Sequence, residues 1–345
     1  MARIAWLVVV VACAHPHSGP PAPARGVVTT VGPGGIPDVR CAAAPAVGPS
    51  RGFRHLRERV VAALGAPLHR GHDLIAVAGA EQIVEGAIAY SALDKALEDE
   101  DVDLYACDTT GWRWLAQART DADGRFAIAL APRERVPIGL RDLYVSVLGD
   151  RTGVRFVAYV APAGTPLVIS DVDGTLTSSE NAWPKSLVDD DGVAPQPGAP
   201  EALRALGYQI VYVTSRGERF TDATRSWLAS HGFPRGPVRL ARSLFALPGA
   251  ASVAYKRATL HALDGFVLVA GIGNRGSDVA AYAAAGIPPD RIFIKLPEFA
   301  SELVPGSAIG FASYAKLPLP RRPHPCDTCF TPPFAPGAAN PGGHE

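Results

Sequence analysis

Two aspartates, Asp171 and Asp173, follow directly on the apolar run 166–170. Such a run is typical of a buried strand, and acids two residues apart at its end reach into one crevice. Holding two like charges together is unfavourable unless a cation compensates them. Carboxylate oxygens are ligands that suit Mg²⁺. The segment DVDGT therefore predicts a magnesium site, with a polar turn capped by an aspartate as the alternative.

Polar and cationic residues follow the next predicted strands. Thr214, Ser215 and Arg216 come after the run 209–213, and their hydroxyls and guanidinium suit a phosphate group. Lys256, one of five lysines in the chain, lies in the helix predicted after the third strand. These residues predict a phosphate-binding site beside the two aspartates.

Asn274 and Asp278 lie after the fourth predicted strand, at the opening of the next helix. Their oxygens are further candidate metal ligands, and an acid there suits the positive end of a helix. Taken alone, this glycine-containing segment would also be compatible with dinucleotide binding. No glycine-rich turn follows the first strand, where that fingerprint belongs, so this alternative is disfavoured.

From Gly164 onward, strand, loop and helix alternate, which predicts an α/β fold with a parallel sheet and helices on both faces. In such sheets, ligands bind beyond the carboxyl ends of the strands. The predicted strands are 166–170, 209–213, 238–240, 266–270 and 291–294, and the predicted helices are 199–206, 219–231, 252–263 and 277–285.

The preceding part of the chain has a different pattern, with short alternating runs separated by turns. This pattern predicts a small all-β sandwich, which we interpret as a structural accessory domain. The strand candidates are 73–78, 82–90, 102–107, 112–118, 125–130, 142–148 and 154–160.

Upstream of the sandwich, apolar residues at helical spacing predict one amphipathic helix over 52–65. They are Phe53, Leu56, Val60, Val61 and Leu64. Arginines and a glutamate accompany them, so charges of both signs lie along this segment. We therefore expect the apolar face to pack on the domain rather than to touch a membrane.

Four stretches within 166–296 resemble the haloacid dehalogenase superfamily and, more closely, the catalytic domain of the lipins, magnesium-dependent phosphatidate phosphatases. Residues 168–177 are similar to the lipin strand DIDGTIT, and 208–216 with 224–228 are similar to its GYK…SAR and TR-x-(Y/W)-L stretches. Residues 234–245 resemble P-x-GPV…SLF, and 273–293 resemble GNR-x-x-DV-x-AY…RIF. This chain has Thr-Ser-Arg where lipins usually have Ser-Ala-Arg.

The resemblance implies a fold of the haloacid dehalogenase type and a role for each matching residue. Asp171 would attack phosphorus to form an aspartyl-phosphate, and Asp173 would act as acid and then base. Mg²⁺ would be held by the Asp171 carboxylate, the Asp173 backbone carbonyl and Asp278, with Asn274 acting through water. Phosphoryl oxygens would be bound by Thr214 and Lys256, with Ser215 and Arg216 beside them and Arg275 as a further contact. Gly174–Ser179 would be the mobile segment beside the nucleophile.

The resemblance makes phosphatidate the leading substrate and leaves two alternatives. A non-catalytic phosphatidate-binding module, like the lipin-like domain of phosphatidylinositol transfer proteins, would not need Asp173. A phosphatase of soluble phosphomonoesters would need no lipid contact. The segment 177–198 is too short for a large cap, and an open site favours a lipid.

The two ends of the chain predict a targeting segment at the start and a Pro-rich tail at the end. Residues 1–13 have the layout of a signal peptide with a lipobox, in which Cys13 would carry a lipid. We expect a disordered Pro/Gly-rich tether over 14–50, a helix and sandwich over 51–162, the catalytic domain over 163–316 and a Pro-rich tail over 317–345. The corresponding location is an exported, membrane-anchored bacterial lipoprotein, periplasmic or at the cell surface, or a secreted protein.

Charge and cysteines limit the partners. With 33 basic and 33 acidic residues the net charge is zero, which argues against non-specific nucleic-acid binding. No oligomer is predicted. Apart from Cys13, four cysteines permit two disulfides in three pairings. These are Cys41, Cys107, Cys326 and Cys329. The last two form a CxxC near His324, which is a weak zinc signal because structural sites use four ligands.

Overall fold

The computed structural model describes residues 26–91, 93–178, 192–243, 245–247 and 249–322. The predicted signal segment with Cys13 and the cysteine pair Cys326 and Cys329 lie outside these residues. The described chain folds into a β domain followed by an α/β domain. In the described part, no helix is both long and apolar enough to cross a membrane.

The β domain is a sandwich of a seven-stranded and a three-stranded sheet. Val84, Phe126 and Ile128 of the small sheet share one buried core with Leu104 and Phe156 of the large sheet. The strands are β1 (Val27–Val31), β2 (Pro37–Cys41), β3 (Arg70–His72), β4 (Leu74–Val77), β5 (Ile83–Ala87), β6 (Ala89–Tyr90), β7 (Lys95–Ala96), β8 (Asp101–Asp108), β9 (Gly111–Arg119), β10 (Arg125–Ala129), β11 (Gly139–Val147) and β12 (Gly153–Ala161). The predicted sandwich and its strand candidates are therefore confirmed.

The prediction of a disordered tether over 14–50 is wrong for the described residues from 26 onward. Strands β1 and β2 pair antiparallel, and β2 pairs parallel with β11. A disulfide joins Cys41 to Cys107 on β8, which is one of the pairings that the sequence permits. The Pro and Gly residues of Pro33–Gly35 form the turn between the two strands. Their clustering marked a tight turn rather than a flexible linker.

Helix α1 (Leu56–Ala63) occupies the predicted position but not the predicted orientation. It buries Glu58 and Val61, whereas Leu56, Val60 and Leu64 have 72%, 54% and 63% of their surface exposed. The expectation that this apolar stripe packs on the domain therefore holds for Phe53 and Val61, which contact the sandwich core, and is wrong for Leu56, Val60 and Leu64. Exposed polar contacts also hold the start of the helix, including those of Arg57 with Glu98 and of His55 with Asp99.

The α/β domain has a parallel sheet with strand order β15-β14-β13-β16-β17-β18 and is of the haloacid dehalogenase type. Its strands are β13 (Pro166–Ser170), β14 (Gln209–Gly217), β15 (Val238–Ala241), β16 (Val267–Gly273), β17 (Ile292–Lys295) and β18 (Ile309–Phe311). The helices are α2 (Ala199–Ala205), α3 (Thr221–Ser230), α4 (Gly249–His261) and α5 (Gly276–Ala284). The predicted fold class is confirmed, and β18 is an edge strand that the sequence did not predict.

Helices cover both faces of this sheet. Successive side chains of a strand point to opposite faces, so neighbouring residues of one strand pack against different helices. Val168 of β13 lies in one core with Leu203 of α2 and Trp227 of α3. Its neighbour Ile169 lies in a second core with Leu260 of α4 and Tyr282 of α5. Strand β13 is buried between these layers, so its carboxyl end lies in the middle of the sheet edge.

Buried ion pairs join the two domains. The Asp73 carboxylate, before β4, accepts hydrogen bonds from Arg225 at 3.0 Å and from the Val238 backbone at 2.7 Å. Arg235 pairs with Asp38 and Asp142 of the sandwich. The sandwich therefore contacts α3 and the edge strand β15 directly.

Candidate functional site

Asp171 lies at the carboxyl end of the central strand β13 and is 4% exposed. Its backbone amide continues the sheet by donating to the Ile272 carbonyl at 2.8 Å. Its Oδ1 accepts a hydrogen bond from Lys256 Nζ at 2.6 Å, and its Oδ2 accepts one from Thr175 Oγ1 at 3.1 Å. The strand end thus holds a buried carboxylate with both oxygens engaged.

Lys256 joins two of the predicted acids. Its ammonium lies 2.6 Å from Asp171 Oδ1 and 2.5 Å from Asp278 Oδ1, and the side chain is 5% exposed. Burial disfavours the charged amine, but the attraction of Asp171 and Asp278 outweighs it and raises the pKa of Lys256 well above its ordinary value. The lysine therefore stays charged and holds the two carboxylates together.

Asp278 is fixed by the first turn of α5. Its Oδ2 accepts hydrogen bonds from the backbone amides of Asn274 at 3.0 Å and Arg275 at 3.1 Å, as in a capped helix start. Gly273 makes this approach possible, because a Cβ there would lie 2.5–2.6 Å from atoms of the Asp278 side chain. Asn274 Oδ1 accepts from Thr175 Oγ1 at 3.3 Å, so this hydroxyl connects Asn274 to Asp171.

Asp173 lies between the ends of β13 and β14. Thr214 Oγ1 donates to its Oδ2 at 2.9 Å, and Arg216 donates from Nη2 to Oδ1 at 2.6 Å and from Nε to Oδ2 at 2.9 Å. A further hydrogen bond from Arg216 Nη1 to Thr224 Oγ1, at 2.9 Å, holds the guanidinium in place. Two predicted phosphate-binding residues therefore contact the predicted acid/base residue.

The side chains of two predicted contacts, Ser215 and Arg275, make their described hydrogen bonds with residues other than the aspartates. The Ser215 hydroxyl meets that of Ser252 at 2.5 Å. Arg275 donates to Glu302 at 2.9 Å, and its guanidinium lies 4.2 Å from the centre of the Phe299 ring. Of the predicted residues, the structure brings Asp171, Asp173, Thr214, Arg216, Lys256, Asn274 and Asp278 together at one edge of the sheet.

Sequence reasoning gave no role to two residues of this edge. Thr175 links Asp171 with Asn274, and its place in the DVDGT segment was the available signal. Tyr314 donates from its hydroxyl to the Thr175 carbonyl at 2.8 Å and is 3% exposed. Its contribution comes from chain packing beyond the recognised motifs, so no local pattern indicated it.

The donor set is compatible with Mg²⁺. In the described part of the chain, no group of three or more His, Cys, Asp or Glu side chains forms a metal cluster. Mg²⁺, however, commonly uses one or two carboxylates and keeps several waters. Asp171 and Asp278 supply two carboxylates, and the nearby Asn274 amide supplies another hard oxygen.

Both domains match models of domains from one group of proteins. Residues 67–160 match the beta-sandwich domain of PITM 1-3, and residues 168–295 match the LNS2 domain of PITM 1-3. The α/β domain is LNS2-like. All seven residues of the sheet-edge cluster fall within this second match.

Individual proteins from the same group are also similar in sequence to this chain. The chain is 28% identical over 233 residues to human membrane-associated phosphatidylinositol transfer protein 3, and 29% identical over 236 residues to protein retinal degeneration B of Drosophila melanogaster. Each alignment covers 66% of this chain but only 23% and 18% of those relatives. The chain therefore matches less than a quarter of the length of these proteins.

The relatives correct the predicted location. They include proteins of human, mouse and fly, several of them named as membrane-associated. The expectation of an exported bacterial lipoprotein is wrong against this comparison. It was based on residues 1–13 alone, which carry no information about the folded domains.

Proposed function

We propose that this chain binds a lipid phosphomonoester, with phosphatidate as the first candidate, at the carboxyl edge of the α/β sheet. The observation that carries the proposal is the LNS2 match over 168–295, which contains the whole sheet-edge cluster. Relatives named as phosphatidylinositol transfer proteins support a lipid ligand. Membrane association is likewise proposed from their names.

The charges of the cluster support a phosphate ligand bound together with a cation. Asp171, Asp173 and Asp278 carry three negative charges against the two positive charges of Lys256 and Arg216. The formal sum of −1 would repel a phosphate dianion. A divalent cation would reverse the sign to +1 and make the edge attractive to phosphate.

Mg²⁺ is the cation that we propose, held by the carboxylates of Asp171 and Asp278, the Asp173 backbone carbonyl and the Asn274 amide. When bound, it would supply positive charge against the phosphate oxygens. The residues of the chain would do the rest of the recognition. Arg216 would offer its fork of donors, and Thr214 its hydroxyl, once the phosphate competes with Asp173 for them.

Hydrolysis of the same phosphomonoester is the second candidate function. The observation that favours it is the pair Asp171 and Asp173, since a pure binding module needs no second aspartate in the position of an acid. The Asp171 carboxylate would attack phosphorus and break its bond to the alcohol oxygen. Asp173, after leaving Arg216 and taking up a proton from solvent, would give that proton to the alcohol oxygen. Asp173 would then take a proton from the water that splits the aspartyl-phosphate, releasing phosphate and restoring Asp171.

One experiment separates the two functions. Binding to phosphatidylcholine vesicles with and without phosphatidate would be measured by flotation, and phosphate release from phosphatidate, lysophosphatidate and glycerol 3-phosphate would be measured in parallel, each with Mg²⁺ or EDTA. Phosphatidate-dependent flotation without release supports the binding module, and Mg²⁺-dependent release supports the phosphatase. Neither flotation nor release would contradict both.

Asp171→Asn tests the site in these assays. The variant removes one negative charge and the nucleophile, so it should abolish any release. Asp264→Asn makes the same change at an exposed aspartate outside the cluster and should behave as the unchanged protein. Release by Asp171→Asn at the unchanged rate would rule out the aspartyl-phosphate route.

A further inference from the structure

A cavity lies between the two domains, away from the sheet-edge cluster of Asp171, Asp173 and Asp278. It has a volume of about 400 Å³. His72 and Glu85 line it from the sandwich, and Arg239, Tyr255 and Thr259 line it from the α/β domain. Helix α4 separates the two places, since its Lys256 belongs to the sheet-edge cluster while the neighbouring Tyr255 belongs to the cavity.

The acids of this cavity are already paired. Glu218 accepts hydrogen bonds from His72 Nε2 at 2.9 Å and from Arg125 Nη2 at 2.7 Å. Glu85 pairs with Arg242 at the rim. Among the described residues, no carboxylate forms a direct ion pair with Arg239, and the two acids whose charges act on it, Asp73 and Glu85, already pair with Arg225 and Arg242.

Hydroxyl groups are the neutral donors of the lining. The buried Tyr255 hydroxyl has the Thr259 hydroxyl beside it. His72 Nε2 is hydrogen-bonded to the Glu218 carboxylate, so Nε2 carries the proton and Nδ1 is an acceptor, which cannot donate to an anion. Buried hydroxyls in native proteins commonly bond to a ligand or to water.

A guanidinium whose neighbouring acids already have other partners, together with hydroxyl donors in the same cavity, has the properties of an anion site. We propose that this interdomain cavity binds a phosphate group, carried by a small soluble molecule or by a lipid headgroup. Arg239 would supply the forked, charged donor, and the hydroxyls of Tyr255 and Thr259 would supply neutral donors. The volume is within the usual range for small-molecule sites.

The position of the cavity gives the ligand a second effect. Residues of both domains line it, so a bound phosphate would contact the sandwich and the α/β domain at once. A ligand that binds only the folded, docked arrangement stabilises it, and the stabilisation grows with the logarithm of the ligand concentration once that concentration exceeds the dissociation constant. The proposal is independent of the sheet-edge function, because none of its donors belongs to that cluster.

Calorimetric titration with inorganic phosphate and with glycerol 3-phosphate, in EDTA, tests the site. In Arg239→Gln the affinity should fall roughly 10- to 100-fold, the loss expected for a charge-assisted hydrogen bond. Tyr255→Phe keeps the ring and should weaken binding about fivefold, the loss expected for one neutral hydrogen bond. Arg257→Gln removes an exposed arginine from the same helix and should leave binding unchanged.

The outcomes decide the proposal. Loss in Arg239→Gln, with Arg257→Gln and Asp264→Asn retaining the affinity of the unchanged protein, supports it. Equal affinity in Arg239→Gln and the unchanged protein would overturn it, and so would the absence of any phosphate binding. Flotation with phosphatidate vesicles distinguishes the sources: a reduced signal in Arg239→Gln indicates a headgroup, and an unchanged signal indicates a soluble phosphate. Failure here would leave the flotation of the unchanged protein intact, so it is distinguishable from failure of the proposed function.

Discussion

Arg216 donates two hydrogen bonds to the carboxylate of Asp173, from Nη2 to Oδ1 at 2.6 Å and from Nε to Oδ2 at 2.9 Å. The two residues come from adjacent strand ends, and Arg216 is 3% exposed. The same guanidinium was predicted to bind phosphate. A phosphate that takes Arg216 must therefore release Asp173, which would free this carboxylate for proton transfer beside the leaving oxygen.

Arg216→Lys tests this exchange. Lysine keeps the positive charge but loses the planar fork, so it can hold neither Asp173 nor a phosphate at two points. We expect the affinity for phosphatidate vesicles to fall about tenfold, measured by flotation at fixed Mg²⁺. Arg257→Lys is the matched control at an exposed position. Equal binding by both variants would contradict a role of the fork in recognition.

Gly273→Ala tests the packing behind Asp278. A methyl group at this position would lie 2.5–2.6 Å from atoms of the Asp278 side chain, so the carboxylate must move. We expect a loss of about 1–3 kcal/mol in the free energy of unfolding, as for other overpacked sites, and a loss of Mg²⁺-dependent phosphatidate binding. The measurements are urea denaturation and flotation.

Gly48→Ala is the control, because a Cβ there would meet only one atom of Arg151, at 3.9 Å. Unchanged stability and Mg²⁺ response in Gly273→Ala would mean that the position of Asp278 is not needed.

Glu218 gives the domain interface a pH dependence. Burial alone would raise its pKa, but hydrogen bonds and charges from His72 and Arg125 outweigh this and lower the pKa to about 2, from an ordinary value of 4.5. The unfolded chain therefore binds this proton more readily than the folded one. The stabilisation is present above about pH 4.5 and is lost as the pH falls toward 2.

Glu218→Gln should lower the free energy of unfolding by about 3 kcal/mol at pH 7 and by much less at pH 3. Urea denaturation at both pH values measures the difference. Glu201→Gln is the control, since Glu201 is 68% exposed and its ion pair among the described residues is with Arg204 one turn away. An equal loss at pH 7 and pH 3 would contradict a charge effect and indicate a packing effect instead.

Most of the α/β domain could be predicted because its signals are local. Each predicted strand and helix follows from periodicity and turns, and Asp171 and Asp173 were placed by the rule that ligands bind at carboxyl strand ends. The orientation of helix α1 was harder to predict from the sequence. The spacing of Leu56, Val60 and Leu64 predicted a helix correctly, but Val61 is the side chain that packs in the sandwich core, and local spacing does not reveal which side of the helix turns inward.

Pairing between distant segments was equally hidden from the sequence. Nothing near Pro37–Cys41 indicates that this strand lies beside β11, and the composition of the region favoured a linker. Arg216 was expected to face only a ligand, because sequence spacing does not reveal that Asp173 lies within reach. The cavity around Arg239 also depends on how two separately predicted domains pack.

Tyr314→Phe tests whether the segment after the LNS2 match contributes to the site. Tyr314 lies beyond residue 295, and its hydroxyl donates to the Thr175 carbonyl at 2.8 Å, while the Thr175 hydroxyl donates to Asp171. Removing the hydroxyl leaves a buried carbonyl without this donor, so the free energy of unfolding should fall by about 1–2 kcal/mol. Phosphatidate binding in Mg²⁺ should weaken severalfold, because Thr175 also holds Asn274.

Tyr208→Phe changes a half-buried tyrosine that lies outside the cluster and should alter neither quantity. A Tyr314→Phe protein with unchanged stability but weakened binding would assign the hydroxyl to the site alone, and one with both quantities unchanged would show that the LNS2 segment positions Thr175 by itself.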